Sequence, residues 1–329
     1  MTDRSVHRYG DHPAQVAELF RPTAEPCGIA VVLHGGFWRA AYDRHLTDDL
    51  CESLAAGGWA AWNLEYRRIA GGGGGWPNTF LDVAAGIDHL ARLDTFEGQA
   101  LGGAPESLDA GDAAGTLARG EAGNMSDRDT AEGLAPRPVP KAVGVRPSDP
   151  PAGGQPRLAP VKADAAAVRA QSPRRTWVVT IGHSAGGHLA LWAAARHLLP
   201  AGAPGADPGV RVTHAISQAG VVDLAEAARL RLSHDAAAEL VGASRDAEPE
   251  RWRLASPAAL LPLGVPQLLV HGARDDIVPA AMSEDYAWRA RELGDAAAAV
   301  VLPGVGHFEH LDHRAAAWLV VRDWLDGLA

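Results

Sequence analysis

Hydrophobic positions alternate along the chain between short continuous runs and longer helical repeats. Apolar runs rich in β-branched residues predict buried strands, and apolar residues three or four positions apart predict amphipathic helices. The predicted strands are Val16–Phe20, Gly28–Leu33, Trp59–Tyr66, Thr176–Ile181, His214–Gln218, Pro266–Val270 and Ala298–Leu302. The predicted helices are Asp43–Ala56, Pro77 to about Leu93, Ala185–Leu199, Pro279–Leu293 and Leu311–Leu328, with short helices between 223 and 262. This alternation predicts an α/β fold with a mostly parallel central sheet and helices on both faces.

One segment interrupts the pattern. Residues 98–160 contain 11 Gly and 9 Pro, and no aromatic residue occurs between Phe96 and Trp177. Such a segment buries too little apolar surface to offset its ordering entropy, so we predict a disordered insertion at about 98–172 in an otherwise single domain. Deleting the insertion is expected to leave activity nearly intact. The 221–262 region is expected to form a small cap.

Composition and charge narrow the function classes. Lys and Arg total 30 against 40 Asp and Glu, a formal net charge of −10, which argues against a general nucleic-acid binder. No run approaches the ~20 apolar residues of a membrane helix, and residues 1–13 lack a signal-peptide core. Two cysteines give neither a disulfide framework nor a zinc cluster, so the expected compartment is the cytoplasm. The 14 histidines show no zinc-binding spacing, and no metal or cofactor is expected.

The sequence GHSAG at 182–186 matches the pattern G-x-S-x-G between an apolar strand and an apolar helix. A serine at such a turn adopts strained backbone angles, and the two glycines avoid clashes there. The turn exposes the Ser184 hydroxyl at the N-terminus of the next helix, where developing negative charge is favoured. Ser184 is therefore the candidate nucleophile. The alternative is an ordinary glycine-rich strand–helix turn.

The sequence HGGFW at 34–38 follows the first long strand. Two glycines after a buried strand allow a sharp turn and leave backbone N–H groups unobstructed. A tetrahedral intermediate needs such donors, each contributing roughly 3–4 kcal/mol. We expect the oxyanion hole to comprise the N–H groups of Gly36, Phe37 and Ala185. His34 is expected to brace the loop rather than react.

A nucleophilic serine needs a base, and the base needs an acid that orients it. Two adjacent carboxylates, Asp275 and Asp276, follow the strand that ends near Val270. Asp275 is the predicted orienting acid, and Asp276 is expected to cap the following helix. Asp223, which follows the preceding strand, is the alternative acid.

The predicted base is His307, in a glycine-containing loop after the last predicted strand. His310 and His313 are expected to be surface residues at or inside the last helix. The order Ser184, Asp275, His307 is the chain order of α/β-hydrolases and differs from that of other serine-hydrolase folds.

The chain resembles the α/β-hydrolase superfamily over almost its whole length outside the insertion. GHSAGGHLALW (182–192), HGARDDIVP (271–279) and GVGHFEHLD (304–312) look like its nucleophile, acid and histidine segments. HGGFW is similar to the HGGxW pattern of kynurenine formamidases (arylformamidases) and related carboxylesterases. The resemblance implies Ser184 as nucleophile, His307 as base and Asp275 as acid, with an oxyanion hole at 35–37 and Ala185.

The expected activity is hydrolysis of a small ester or amide, such as an aryl-formamide or a short-acyl ester, through an acyl-enzyme. Trp38, Trp76 and Trp252 are candidate walls of the substrate pocket, although each could equally be a core residue. Two alternatives remain. A prolyl-oligopeptidase-like peptidase would usually carry a large additional domain, for which this chain has no room. A non-catalytic ligand-binding protein on the same fold would often lack a triad member, and all three are present.

Overall fold

The computed structural model describes residues 3–93 and 176–328, and these fall in one compact unit. The predicted insertion at 98–172 lies outside the described residues. Among the helices of the described residues, none combines the length and the apolar character needed to cross a bilayer.

The core of the fold is an eight-stranded sheet with the order β1-β2-β4-β3-β5-β6-β7-β8. β2 is antiparallel to both β1 and β4, and the pairs from β4 to β8 are parallel. The strands are β1 (Asp3–Arg8), β2 (Val16–Arg21), β3 (Gly28–Leu33), β4 (Ala60–Leu64), β5 (Trp177–His183), β6 (His214–Gln218), β7 (Gln267–Gly272) and β8 (Ala297–Leu302). This is the mostly parallel sheet that the alternating sequence pattern predicts.

Helices cover both faces of the sheet. They are α1 (Asp48–Ala56), α2 (Asn78–Asp88), α3 (Ala185–Ala195), α4 (Leu224–Arg229), α5 (Ala236–Val241), α6 (Pro249–Ala255), α7 (Ala280–Glu292) and α8 (Ala316–Asp326). α1 and α8 pack on one face, and the others build the larger core on the opposite face. Along β3, Ile29 and Val31 enter the larger core while Ala30 and Val32 enter the smaller one. Burial on both faces explains why this strand reads as an unbroken apolar run.

Three predicted helices are shorter than expected, because part of each of Asp43–Ala56, Pro77 to Leu93 and Ala185–Leu199 is a separate 3-10 turn. Two further elements differ from the predictions. β1 was not predicted, because its sequence is charged and its side chains are mostly exposed or half-buried. It is an edge strand that pairs only with β2 among the described strands, so it needs no apolar face. The last helix begins at Ala316 rather than at Leu311. The residues before it form a separate 3-10 turn, Glu309–Leu311.

Candidate active site

Ser184 occupies a sharp turn between β5 and α3. Its φ of 55° and ψ of −118° are rare for a residue with a side chain, and its side chain makes no capping hydrogen bond to the helix. A Cβ at Gly182 would collide with the carbonyl of Gly186, and a Cβ at Gly186 would collide with the carbonyl of Leu33. Both glycines are therefore needed for this turn, as the motif predicts.

The loop after β3 lies directly against this turn. A Cβ on Gly35 would come within 3.2 Å of the Ser184 Cβ. Gly36, Phe37 and Trp38 have positive φ values of 102°, 48° and 57°, so the backbone turns sharply here. Within the described part of the chain, the N–H groups of Gly36, Phe37 and Ala185 donate no hydrogen bond. Three free backbone donors beside a strained serine can stabilise an oxyanion.

The glycine loop is anchored by His34. Its Nε2 lies 3.0 Å from Glu65 Oε1, and its Nδ1 lies 2.9 Å from the carbonyl of Gly35. The same carboxylate accepts the N–H groups of Tyr66 and Arg44 at 3.0 Å each. His34 is fully buried, so it supports the loop and does not face substrate.

Asp275 and His307 come together at the carboxyl ends of β7 and β8. His307 Nδ1 lies 2.7 Å from Asp275 Oδ2. The other carboxylate oxygen, Oδ1, accepts the N–H groups of Ile277 and Val278 at 2.9 and 2.8 Å. These bonds fix the carboxylate so that Oδ2 faces the imidazoles of both His307 and His271.

The hydrogen bonds to Asp275 also set its charge. Burial raises the pKa of its carboxyl, but hydrogen bonds from His271, His307 and the Val278 N–H outweigh burial and hold the pKa well below its usual range. Asp275 therefore stays ionised at neutral pH. A fixed carboxylate of this kind holds a histidine in one tautomer and stabilises the imidazolium.

The two other candidate acids lie in different environments. Asp223 accepts the N–H groups of Ala225 and Glu226 at the start of α4, and its second oxygen accepts a bond from Arg289 at 2.8 Å. It is a helix cap in an ion pair and does not contact His307. Asp276 is exposed, and α7 begins after Pro279 without a side-chain cap. The expectation that Asp276 caps this helix is therefore wrong.

His183, the last residue of β5 and the neighbour of Ser184 in the chain, links the serine turn to His307. His183 Nε2 lies 2.8 Å from the main-chain oxygen of His307, and the two imidazole centroids are 4.7 Å apart. The structure records no hydrogen bond from the Ser184 hydroxyl to another described residue. Such a contact often closes only when substrate binds. The geometry therefore joins Asp275 to His307 directly, and His307 to the serine turn through His183.

Three buried histidines around this centre were not recognised as part of the site. His271 Nε2 lies 3.1 Å from Asp275 Oδ2, and its Nδ1 lies 2.8 Å from Ser283 Oγ. His310 is fully buried, so the expectation that it lies on the surface is wrong. His183 is the third. The signal in the sequence is a histidine at the end of an apolar strand, as at His183 and His271. The sequence does not show which of these imidazoles is buried by distant segments of the chain.

The three tryptophans predicted to line the substrate pocket differ in their surroundings. Trp38 has no exposed surface and packs edge-on against the ring of His188, so it is a core residue and that prediction is wrong. Trp252 is also nearly buried and lines a cavity of about 350 Å³ together with Asp223 and Arg289. Trp76 is half-buried and stays a candidate.

The segment between β6 and β7 reaches the candidate oxyanion loop. Arg39, directly after HGGFW, donates to the main-chain oxygen of Ser233 at 2.9 Å and pairs with Glu239 at 2.9 Å. The N–H of Trp76 donates to the carbonyl of Leu240 at 2.7 Å. These contacts place part of the 221–262 region against the loops around the candidate site.

One group of side chains has metal-ligand spacing among the residues described. It consists of Glu18, His45 and Asp48. Arg4 and Arg44 lie 3.9 and 3.8 Å from the Glu18 carboxylate, and His45 is 2.9 Å from Asp48. Because the carboxylates already have these partners, we assign no metal to this group.

Known proteins resemble this chain in one segment of its sequence and in its fold. A family model described as BD-FAE matches residues 161–289, which include Ser184 and Asp275. No curated protein matches the chain significantly.

Three solved structures illustrate the similarity of fold. A carbohydrate esterase from gut microbiota, in truncated form, shares 16% identity over 99% of this chain and 96% of its own, with a TM-score of 0.64. Esterase B from Lactobacillus rhamnosis HN001 shares 14% identity over 99% and 85%, with a TM-score of 0.65. The propionate-bound esterase Est2 of Thermogutta terrifontis, a Planctomycetes species, shares 18% over 98% and 92%, with a TM-score of 0.58. The chain thus has the α/β-hydrolase fold.

Proposed function

We propose that the protein hydrolyses small carboxylic esters through a serine nucleophile, with His307 as general base and Asp275 as the acid that orients it. The observation that carries this proposal is the 2.7 Å contact between His307 Nδ1 and Asp275 Oδ2, in a loop that His183, the residue before the strained Ser184, contacts directly. Structural neighbours that are esterases support the same reaction class.

In this mechanism the Ser184 hydroxyl attacks the ester carbonyl while His307 Nε2 takes its proton. The N–H groups of Gly36, Phe37 and Ala185 stabilise the oxyanion. The imidazolium of His307 gives the proton to the departing alkoxide, and an alcohol leaves. Water then attacks the acyl-serine with His307 again as base, which releases the carboxylic acid and restores the serine.

For the substrate we propose a short acyl group. Support comes from the neighbour Est2, whose structure contains propionate. The HGGFW loop supports a second candidate, an aryl-formamide such as N-formyl-L-kynurenine, because it is similar to the HGGxW pattern of arylformamidases. We also propose that residues 221–262 cap the site, since Arg39 contacts Ser233 and Glu239 of that region.

The first experiment is labelling of the purified protein with a fluorophosphonate probe, with Ser184→Ala as the blank. We expect labelling of the unmodified protein alone, together with Ser184-dependent hydrolysis of p-nitrophenyl acetate. A folded protein that is neither labelled nor active would overturn the proposal in favour of a ligand-binding protein on a hydrolase fold.

A second experiment separates the substrate classes. Initial rates are measured with p-nitrophenyl acetate, propionate and octanoate and with N-formyl-L-kynurenine. Higher kcat/KM on the two short esters supports a short-acyl esterase. Faster turnover of the formamide, lost in Ser184→Ala, would instead make the protein an arylformamidase.

A further inference from the structure

His183 contacts the three segments that build the candidate site. It is the residue before Ser184, at the end of β5. Its Nε2 lies 2.8 Å from the main-chain oxygen of His307. On its other side, a Cβ added to Gly35 would approach the His183 Nδ1 to 2.9 Å. One imidazole therefore touches the serine turn, the base loop and the glycine loop.

The hydrogen bond to His307 fixes the tautomer of this ring. A carbonyl oxygen only accepts hydrogen bonds, so the proton of the neutral imidazole resides on Nε2. Burial and the nearby His307 lower the pKa of His183 to about 3, so the ring is neutral at neutral pH. Its Nδ1 is buried and has no hydrogen-bond partner among the described residues. The bond to His307 is thus the only polar contact that orients the ring within that part of the chain.

Other hydrogen bonds hold this loop on either side of His307, but among the described residues none of them is made by the main chain of His307 itself. The N–H of Arg274 donates to the carbonyl of Val305 at 2.8 Å, two residues earlier. Gly304 has a φ of 80°, in the left-handed region that glycine adopts without strain. Asp275 holds the imidazole of His307 by Nδ1, but it does not hold the main chain of that residue.

We propose that His183 is a positioning residue that holds the main chain of His307 in register with Ser184 through its Nε2–H. The inference rests on the proposed serine-hydrolase function and names a residue beyond the triad. Asp275 sets the orientation of the base, and His183 sets its distance from the nucleophile. A shift of about 1 Å in such a distance can lower a rate on the order of 100-fold.

The test compares His183→Leu with His183→Gln. Leu removes the donor at similar volume, whereas the amide nitrogen of Gln reaches about as far as Nε2 and keeps a donor. Hydrolysis of p-nitrophenyl acetate and the rate of fluorophosphonate labelling are measured for both. We expect kcat and the labelling rate to fall on the order of 10- to 100-fold in His183→Leu with KM changed little, and to recover most of that loss in His183→Gln.

His188→Leu is the matched control. His188 is likewise fully buried, donates to a main-chain oxygen, that of Ala255, at 2.8 Å, and has a partnerless Nδ1 among the described residues. It therefore loses a comparable bond without touching the loop of His307. We expect a similar drop in the melting temperature of both Leu variants, with kcat falling far less in His188→Leu.

Three results would overturn the inference while leaving the proposed function intact. They are an unchanged kcat in His183→Leu, an equal loss in His188→Leu, and a Gln variant as slow as the Leu variant. If His183→Leu does not fold, His183→Asn replaces it, because its shorter amide does not reach the carbonyl and the same loss is expected. An unmodified protein that is neither labelled nor active would instead refute the proposed function, and this inference with it.

Discussion

The imidazole of His34 lies flat against the phenol ring of Tyr66, with the ring centroids 4.4 Å apart and an angle of 7° between the planes. The Tyr66 hydroxyl also donates to the main-chain oxygen of His34 at 2.8 Å. Tyr66 follows β4, which pairs with β3 in the sheet. His34, which begins the glycine loop, is therefore attached by both its ring and its backbone to Tyr66, just beyond the neighbouring strand.

Glu65 belongs to the same attachment, because its carboxylate faces His34. We therefore expect Glu65→Gln to have a specific effect. The amide keeps the size of the side chain but replaces an acceptor oxygen with a donor, and the Glu65 carboxylate accepts from the N–H groups of Tyr66 and Arg44 as well as facing His34. We expect the free energy of unfolding to fall by about 1–3 kcal/mol, because one buried donor loses its acceptor. Urea unfolding measures this change.

In the same variant kcat should fall more than KM rises, because the loop that carries the proposed oxyanion donors shifts. Tyr66→Phe is the control for ring stacking, since it keeps the ring and removes only the hydroxyl. A Glu65→Gln protein with unchanged stability and unchanged kcat would show that His34 does not need this carboxylate.

The adjacent pair Asp275 and Asp276 allows a matched test of the orienting acid. Asp275→Asn leaves the shape of the site but presents a poorer acceptor to His307 Nδ1, so kcat should fall by roughly 10³–10⁴-fold. Asp276→Asn changes the same charge on an exposed side chain that caps no helix, and its kcat should stay near that of the unmodified protein. Steady-state kinetics on p-nitrophenyl acetate checks both. Equal losses in the two variants would contradict the assignment.

The sequence predicted the sheet and the contact between Asp275 and His307, because both follow from the pattern of strands and the loops after them. Buried parallel strands such as β3 read as apolar runs, and the two glycines around Ser184 are required by close backbone contacts within a few residues of the motif or with its neighbour strand. The pairing of Asp275 with His307 followed from the chain order of strands that end at one edge of the sheet.

The features that sequence missed depend on contacts between distant segments. The sequence predicts His310 on the surface, yet its ring is buried near His183 of β5 and His271 of β7. Trp38 looked like a pocket wall, but His188 on α3 covers its ring. The charged strand β1 has no apolar pattern, and its pairing with β2 is visible only in three dimensions.

The buried histidines predict loss of stability in mild acid. Burial lowers the pKa of His183 and His310 to about 3 and that of His188 and His214 to about 4, against 6.5 for an unperturbed histidine. Below about pH 6.5 the unfolded chain binds protons that the folded chain excludes, so the free energy of unfolding falls as pH falls towards 4. Each such histidine contributes up to about 1.4 kcal/mol per pH unit in this window.

His310→Leu tests this relationship. Both ring nitrogens of His310 are buried without a hydrogen-bond partner among the described residues, so Leu removes a titrating group and no polar contact of the ring. We expect a shallower decline of the melting temperature between pH 6.5 and pH 4 than in the unmodified protein. His313→Leu, at a half-exposed position three residues on, is the control and should keep the original slope. An unaltered slope in His310→Leu would contradict the explanation.

The contacts around Gly35 show how little space separates the glycine loop from the serine turn. A Cβ there would lie 2.9 Å from His183 Nδ1, 3.0 Å from the His183 main-chain oxygen and 3.2 Å from the Ser184 Cβ. Gly35→Ala should therefore push the loop away from Ser184, and we expect kcat to fall on the order of 100-fold with a small change in KM, as when an oxyanion donor is lost. Gly209→Ala is the control, because its added Cβ meets only ordinary contacts of 3.5 Å or more with Asp88. A Gly35→Ala enzyme with the kcat of the Gly209→Ala enzyme would show that the loop can retreat from the turn without loss of the oxyanion donors.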